Sequence, residues 1–216
     1  MLADLILGHT PIFAVEIDDD CCRNLRSCDW WPECEIIHRD IRTFDASPWK
    51  GSVDILHAGV PCPRWSAAKR GRGETYDGWP DTLRIVEQCR PKELFLECVA
   101  NFKREHERAR LSLMGIGYVL GDYILTDASG MGAPHSRSRY WSIAYANDQG
   151  EPVRKIDAKM AIMPPIDAGL WWETAPRISG MDDGVADRTY RFRATGNGQV
   201  PVQAAAAYLT LKGSSK

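Results

Sequence analysis

With 216 residues, the chain is long enough to bury a sizeable core as one domain, or as one domain with a small appendage. Its 44% hydrophobic and 26% charged residues, with no apolar run near the length of a bilayer span, argue against a disordered or membrane-spanning class. The net charge of −2 excludes a globally basic nucleic-acid binder, although a local basic patch can still steer such a ligand.

In chain order, Leu2 to Gly8 reads as the tail of a helix and Pro11 to Ile17 as a short apolar strand ending in an acid. Asp18, Asp19 and Asp20 supply an N-cap and first-turn negative charge for a helix through about Ser27. Glu35 to His38 is a second strand and Val53 to Ala58 a third. Arg72 to Pro80, rich in glycine and charge, reads as a loop, and Asp81 to Cys89 as a helix. Leu94 to Val99 is a fourth strand, Lys103 to Met114 a basic helix, and Tyr118 to Thr126 and Tyr140 to Ala146 two more strands. Strands alternating with helices at this spacing predict an α/β fold with a mostly parallel sheet covered on both faces. The stretch 147–187 is polar and loop-rich, with little core of its own. The predicted organisation is therefore a core over 1–146, this small insert, and a segment 188–216 that returns to the core through an Ala-rich helix from Val202 to Lys212.

The third strand runs straight into Val60-Pro61-Cys62-Pro63-Arg64-Trp65-Ser66. Two prolines forbid strand and helix there, so the chain turns at the end of the strand, the edge where open α/β sheets bind ligands. A thiol on such a turn is placed for nucleophilic work, or is a packed structural cysteine. The seven cysteines include no C-x-x-C pair, which gives a zinc site little support and makes free thiols in a reducing cytosol the simplest setting. The first residues carry no basic stretch of the kind that opens a signal peptide.

Other side chains sit at comparable places. Glu16, followed by Ile17, ends the first strand, where a carboxylate takes ribose hydroxyls or simply caps a turn. Asp40 repeats that position after the second strand. Glu97 interrupts an apolar run; burial would raise its pKa and let it donate a proton to a ring nitrogen, unless it is only an arginine's structural partner. Arg137 and Arg139, two residues apart at a strand entrance, share one face that can clamp an oxygen or a carboxylate, or line a solvated edge. Lys69, Arg70 and Arg72, with Trp65, form a basic and aromatic patch suited to nucleic acid. Asn197 lies between two glycines in a turn.

Together these segments resemble the C5-cytosine DNA methyltransferases, from about Ile12 to the last helix, the loop-rich insert apart. Pro61-Cys62-Pro63-Arg64-Trp65-Ser66 resembles that family's Pro-Cys-x-x-x-Ser loop, and Leu96-Glu97-Cys98-Val99 its Glu-Asn-Val segment. His135-Ser136-Arg137-Ser138-Arg139 resembles its Gln-x-Arg-x-Arg segment, and Gly196-Asn197-Gly198-Gln199-Val200-Pro201 its late Gly-Asn-Ser-Val segment. Phe13 to Asp18 and Arg39-Asp40-Ile41 are similar to two cofactor segments. The order of the six makes the signal strong.

The resemblance implies a Rossmann-like, S-adenosylmethionine-dependent fold and a short, phage- or prophage-like member of restriction–modification type. It implies a double-stranded DNA partner and the cytoplasm of a bacterial or phage-infected cell. Cys62 would attack C6 of a flipped cytosine, Glu97 would hold its N3 edge, and Arg139, supported by Arg137, its O2. Glu16, Ile17, Asp40, Ile41, Gly59, Pro61 and Asn197 would line the cofactor site; Arg64, Ser66, Lys69, Arg70 and Arg72 would meet DNA.

Several departures from the family set further expectations. The family opens with a central strand and a Gly-rich cofactor loop that do not fit before Glu16. The chain is therefore expected to bind S-adenosylmethionine poorly, to be weak or inactive alone, and to self-associate or need a complementing N-terminal fragment. Cys98 stands for an asparagine, His135 for a glutamine, and Gly198-Gln199 for Ser-Val. The alternatives are a non-catalytic DNA-binding homologue or one part of a split enzyme, a thiol hydrolase using Cys62 with His57 or His135, and the same chemistry on RNA.

Overall fold

The computed structural model describes residues 2–60, 76–133, 135–147 and 199–213. Helix α1 (Leu2–Leu7) stops at Gly8, whose φ of +71° is the left-handed conformation that closes a helix and favours glycine. Strand β1 (Phe13–Glu16) leads into α2 (Asp19–Arg26). The Asp18 carboxylate accepts from the Asp20 and Cys21 amides, the cap that the run of aspartates predicts. Next come β2 (Glu35–His38), β3 (Ile55–Gly59), α3 (Trp79–Cys89), β4 (Glu93–Val99), α4 (His106–Gly115), β5 (Tyr118–Asp127), β6 (Ser138–Ala146) and α5 (Pro201–Leu211).

Two departures from the predicted elements have local causes. Trp79 and Pro80, expected in a loop, open α3: proline is tolerated in the first turn of a helix, and Trp79 is buried with its ring 5.9 Å from that of Phe102. The first three residues of the predicted basic helix, Lys103 to Glu105, belong to a 3-10 turn over Ala100–Glu105, and α4 starts only at His106. The insert from residue 148 onward, and the loop holding Cys62, lie outside the described residues.

The described strands form two sheets. One is the parallel pair β1-β2. The other has the order β3-β4-β6-β5, with β3 parallel to β4 and β6 antiparallel to both its neighbours. Three of its four strands therefore share one direction and β6 alone opposes them, which fits the mostly parallel α/β reading. Strand β4 is covered on both faces: Leu94, Leu96 and Cys98 pack with Leu113 and Tyr118, while Phe95 packs with Trp141, Ala204 and Ala207 of the opposite layer. This double burial is why its sequence is apolar without alternation. The small residues of α5 allow a close approach to the stacked Phe95 and Trp141 rings, 5.3 Å apart. No helix among the described residues is long and apolar enough to cross a membrane.

Among the described strands, β1 and β3 belong to different sheets. A cleft of about 620 Å³ separates them, lined by Phe13 to Val15 on one side and all five residues of β3 on the other.

Candidate active site

Gly59 and Glu97 are register partners at the carboxyl ends of the parallel pair β3-β4, the edge of an α/β sheet where ligands bind. Across β4, Arg139 pairs with Val99, so Glu97 and Arg139 are diagonal neighbours on one face. Their side chains meet: Arg139 Nε donates to Glu97 Oε1 at 2.8 Å, with both groups mostly buried. A second Arg139 nitrogen, Nη1, donates to the Ser138 carbonyl at 2.8 Å and fixes the guanidinium plane. Gly59 lies close beside the carboxylate, since a Cβ built there would sit 3.5 Å from Glu97 Oε2; larger side chains would wall that oxygen off.

Burial raises the Glu97 pKa above the ordinary carboxylate value, opposed by Arg139, then by Arg137 and by a hydrogen bond from the Gln199 side chain. Burial and the neighbouring Arg139 lower the Arg137 guanidinium to about 10, opposed by Glu97. The group is thus one carboxylate and two guanidiniums, with a proton held more readily on Glu97 than on an exposed glutamate. It can present a proton donor and fixed positive charge to a planar heteroaromatic edge.

Two supports of this group were invisible to sequence reasoning. Asp127 gathers the entrance of β6: it accepts from the Ser129 amide at 3.0 Å, from the Ser129 and Ser136 hydroxyls at 2.6 and 2.9 Å, and from the Ser138 hydroxyl. These hydroxyls hold the Asp127 carboxyl far below its usual range. Buried Gln203 of α5 donates through Nε2 to the Arg137 carbonyl and to Thr126 Oγ1, both at 2.9 Å. The Ser-x-Ser alternation and a glutamine in an Ala-rich helix are the only sequence signals of these supports, and neither names its partner. Gln199, read only as a departure from the late motif, reaches Glu97 directly.

Beside Glu97, the Val60 amide donates to the Glu97 carbonyl at 3.0 Å and Cys98 Sγ donates to the Val60 carbonyl at 3.5 Å. The thiol at position 98 therefore ties the residue after β3 to β4. Cys62, Pro61, Arg64, Ser66, Lys69, Arg70, Arg72 and Asn197 lie outside the described residues. Of the other cofactor candidates, Ile41 and Gly59 line the cleft between β1 and β3 together. Glu16 Oε1 accepts from the Ile17 and Asp18 amides at 2.8 and 2.9 Å, which pins the carboxylate at the end of β1. Asp40 accepts from the Arg42 amide at 2.9 Å and from its Nε at 2.8 Å, so the turn-capping role read for it is the one its contacts display. His57, weighed as a partner for Cys62, instead faces Asp4, with 3.3 Å between Nδ1 and Oδ1. Asp4, His57 and His9 form a cluster whose ligand-type atoms lie within 4.8 Å of one another.

The profile of the C-5 cytosine-specific DNA methylase family matches residues 6–169. The chain belongs to this family. Among curated members, it is 30% identical over 148 residues to the type II methyltransferase M.NgoMIV of Neisseria gonorrhoeae, covering 65% of this chain and 46% of that one. It is 27% identical over 156 residues to M.Eco47II of Escherichia coli, covering 68% and 36%. The chain thus spans between a third and a half of these methylases' length. Among solved structures, a DNMT2 mutant from Spodoptera frugiperda aligns over 72% of this chain and 49% of its own, with TM-score 0.54 and 21% identity. A prophage-encoded DNA modification methyltransferase of E. coli aligns over 71% and 45%, also with TM-score 0.54 and 21% identity. These two establish the methyltransferase fold.

Proposed function

We propose that this chain carries the base-binding and nucleophile half of a DNA cytosine-5 methyltransferase acting on double-stranded DNA in the cytoplasm. The observation that carries the reading is the buried Glu97–Arg139 pair, with Arg137 beside it, at the sheet edge from which the Cys62 loop departs. Covalent geometry keeps the Cys62 Cα within about 7 Å of Val60, which is itself tied to Glu97 and Cys98.

In this proposal the Cys62 thiolate adds to C6 of an extruded cytosine, and the ring's electron pair moves to C5. Glu97 in its protonated form donates to N3, and Arg139 holds O2 as negative charge develops on the ring. Arg137, fixed at its carbonyl by Gln203, adds positive charge behind that pair. S-adenosylmethionine, when bound, supplies the methyl group that C5 takes; loss of the C5 proton then expels the Cys62 thiolate. Glu16, Ile17, Asp40, Ile41, Gly59, Pro61 and Asn197 would hold the cofactor, and Ile41 with Gly59 in one cleft supports this fit. The same reading gives Arg64, Ser66, Lys69, Arg70 and Arg72 the DNA backbone, and 147–187 a reduced recognition role. It also includes a complementing polypeptide or a second copy as partner.

The test is covalent capture. A duplex holding 5-fluorocytosine, incubated with the chain and S-adenosylmethionine, should give a denaturant-resistant complex that disappears in Cys62→Ala. Capture that survives this substitution refutes the nucleophile. DNA binding without any capture instead supports the second reading, a non-catalytic homologue, which the split of the described strands into two sheets favours.

A further inference from the structure

Asp4, His9 and His57 take no part in the chemistry proposed above, yet the fold brings them together from two elements. Gly8, in the left-handed region, turns the chain at the end of α1, and the His9 amide then donates to the Asp4 carbonyl at 2.8 Å. Ala3 and Leu7 of α1 pack with Ala207, Tyr208 and Leu211 of α5, which holds the short helix in place. His57 is the central residue of β3, in register with Phe95. Packing orients both rings: His57 lies edge-on to Phe95 with 5.3 Å between centroids, and His9 edge-on to Tyr208 with 5.1 Å. The two imidazoles stand 5.9 Å apart at 73° to each other, beside the buried Asp4 carboxylate.

One ligand-type atom from each of the three residues lies within 4.8 Å of the other two. Asp4 Oδ1 is 3.3 Å from His57 Nδ1 and 3.6 Å from His9 Nδ1. Both separations exceed the roughly 2.7–2.9 Å of a charge-assisted hydrogen bond. They are close instead to the edge of a tetrahedron of zinc ligands, about 3.3 Å for bonds of about 2.0–2.1 Å. His9 Nδ1 is also buried with no hydrogen-bond partner among the described residues, a state that costs free energy until something answers it. A structural Asp–His pair accounts for His57 but leaves that nitrogen unanswered. All three residues line the cleft between β1 and β3, so water has access to a fourth coordination position.

We propose that Asp4, His9 and His57 form a site for one divalent transition-metal ion of the zinc class, which clips α1 to β3. The ligands are Asp4 Oδ1 and one ring nitrogen from each histidine, with water from the cleft in the fourth position. Two imidazoles and a carboxylate suit zinc, whereas magnesium and calcium prefer all-oxygen sets. None of the three ligands is a cysteine, so the lack of a C-x-x-C pair does not bear on this site. Positions 4, 9 and 57 carry no recognisable ligand spacing, and only the packing of α1 beside β3 assembles them. The site uses neither DNA nor S-adenosylmethionine, so it stands or falls apart from the methyltransferase reading.

The experiment titrates Co²⁺, then Zn²⁺, into the chelator-treated full chain. One equivalent of Co²⁺ should give the visible d–d absorption of tetrahedral nitrogen and oxygen ligation, without the near-ultraviolet band of a cobalt thiolate, and Zn²⁺ should displace it. Zn²⁺ should also raise the Tm. In the unaltered chain, Zn²⁺ should slow modification of His9 and His57 by diethyl pyrocarbonate about tenfold or more, read by mass spectrometry, and leave His38, His106 and His135 unchanged. His9→Gln and Asp4→Asn should each weaken Zn²⁺ binding by about tenfold or more. The histidine protection needs no variant, so it decides the matter even if a substitution impairs folding. The absence of a tetrahedral cobalt spectrum, a spectrum dominated by thiolate, protection that spares His9 and His57, or undiminished binding in both folded variants overturns the proposal.

Discussion

Replacing Arg139 by alanine leaves Glu97 as a mostly buried carboxylate whose strongest opposite charge is gone. Removing one member of a fully buried pair costs about 3–5 kcal/mol, because the other charge stays uncompensated. Here the side chains keep 16% and 14% of their exposure, and Arg137 and Gln199 still face the carboxylate, so the expected loss is about 2–3 kcal/mol near pH 8. The wild-type Glu97 pKa is already raised by burial, so its contribution to stability is greatest below the ordinary carboxylate range and declines as pH rises through the raised value. Without Arg139 that value rises further and the decline steepens. At pH 5 the variant holds a proton on Glu97 more readily than at pH 8, so the loss shrinks toward about 1 kcal/mol, the worth of the missing hydrogen bonds. Urea denaturation of wild type, Arg139→Ala, Glu97→Gln and the double variant at both pH values measures the coupling as a cycle. A loss that is equal at the two pH values, or below about 0.5 kcal/mol at the higher one, refutes the claim that Glu97 is a buried, pair-dependent acid.

Further outcomes follow from the supports of this site. Gln203→Ala should destabilise by about 2 kcal/mol in thermal or urea unfolding, because it empties a buried position and removes one donor each from the Arg137 carbonyl and the Thr126 hydroxyl, which keep the Ala128 amide and Trp141 Nε1. Asp127→Asn should lower the Tm near neutral pH. The depressed Asp127 pKa contributes stability above the ordinary value and loses it on acidification, so the difference from wild type should narrow as pH falls below about 4. Cys89, buried and pushed up to about 11, and buried Cys22, also raised, should resist a thiol reagent near pH 8 until the protein unfolds. Fast labelling of either by mass-mapped modification would show that its layer is open. Tyr140→Phe, which removes the hydroxyl 2.8 Å from His106 Nδ1, should cost about 1 kcal/mol by the same unfolding assays.

Much of the architecture was legible from local pattern alone. The aspartates before α2, the continuous apolar run of β4 and the Ala-rich α5 each state their element, because caps, burial on both faces and close helix approach leave compositional traces at short range. The family followed from six short segments in order, and Glu97 announced itself as a charge within an apolar strand. Tertiary structure decided the rest. Arg139 could equally have lined a solvated edge; only the antiparallel register of β6 against β4 brings it to Glu97, and register between strands 42 residues apart has no local signature. Gln203 and Asp127 support the arginines from other elements, and His57 turns away to Asp4, for the same reason. The cleft between β1 and β3 is the plainest case: local pattern states both strands, but only the folded chain shows that they pair with different neighbours, share one core cluster through Phe13, Val15 and Leu56, and line one cleft.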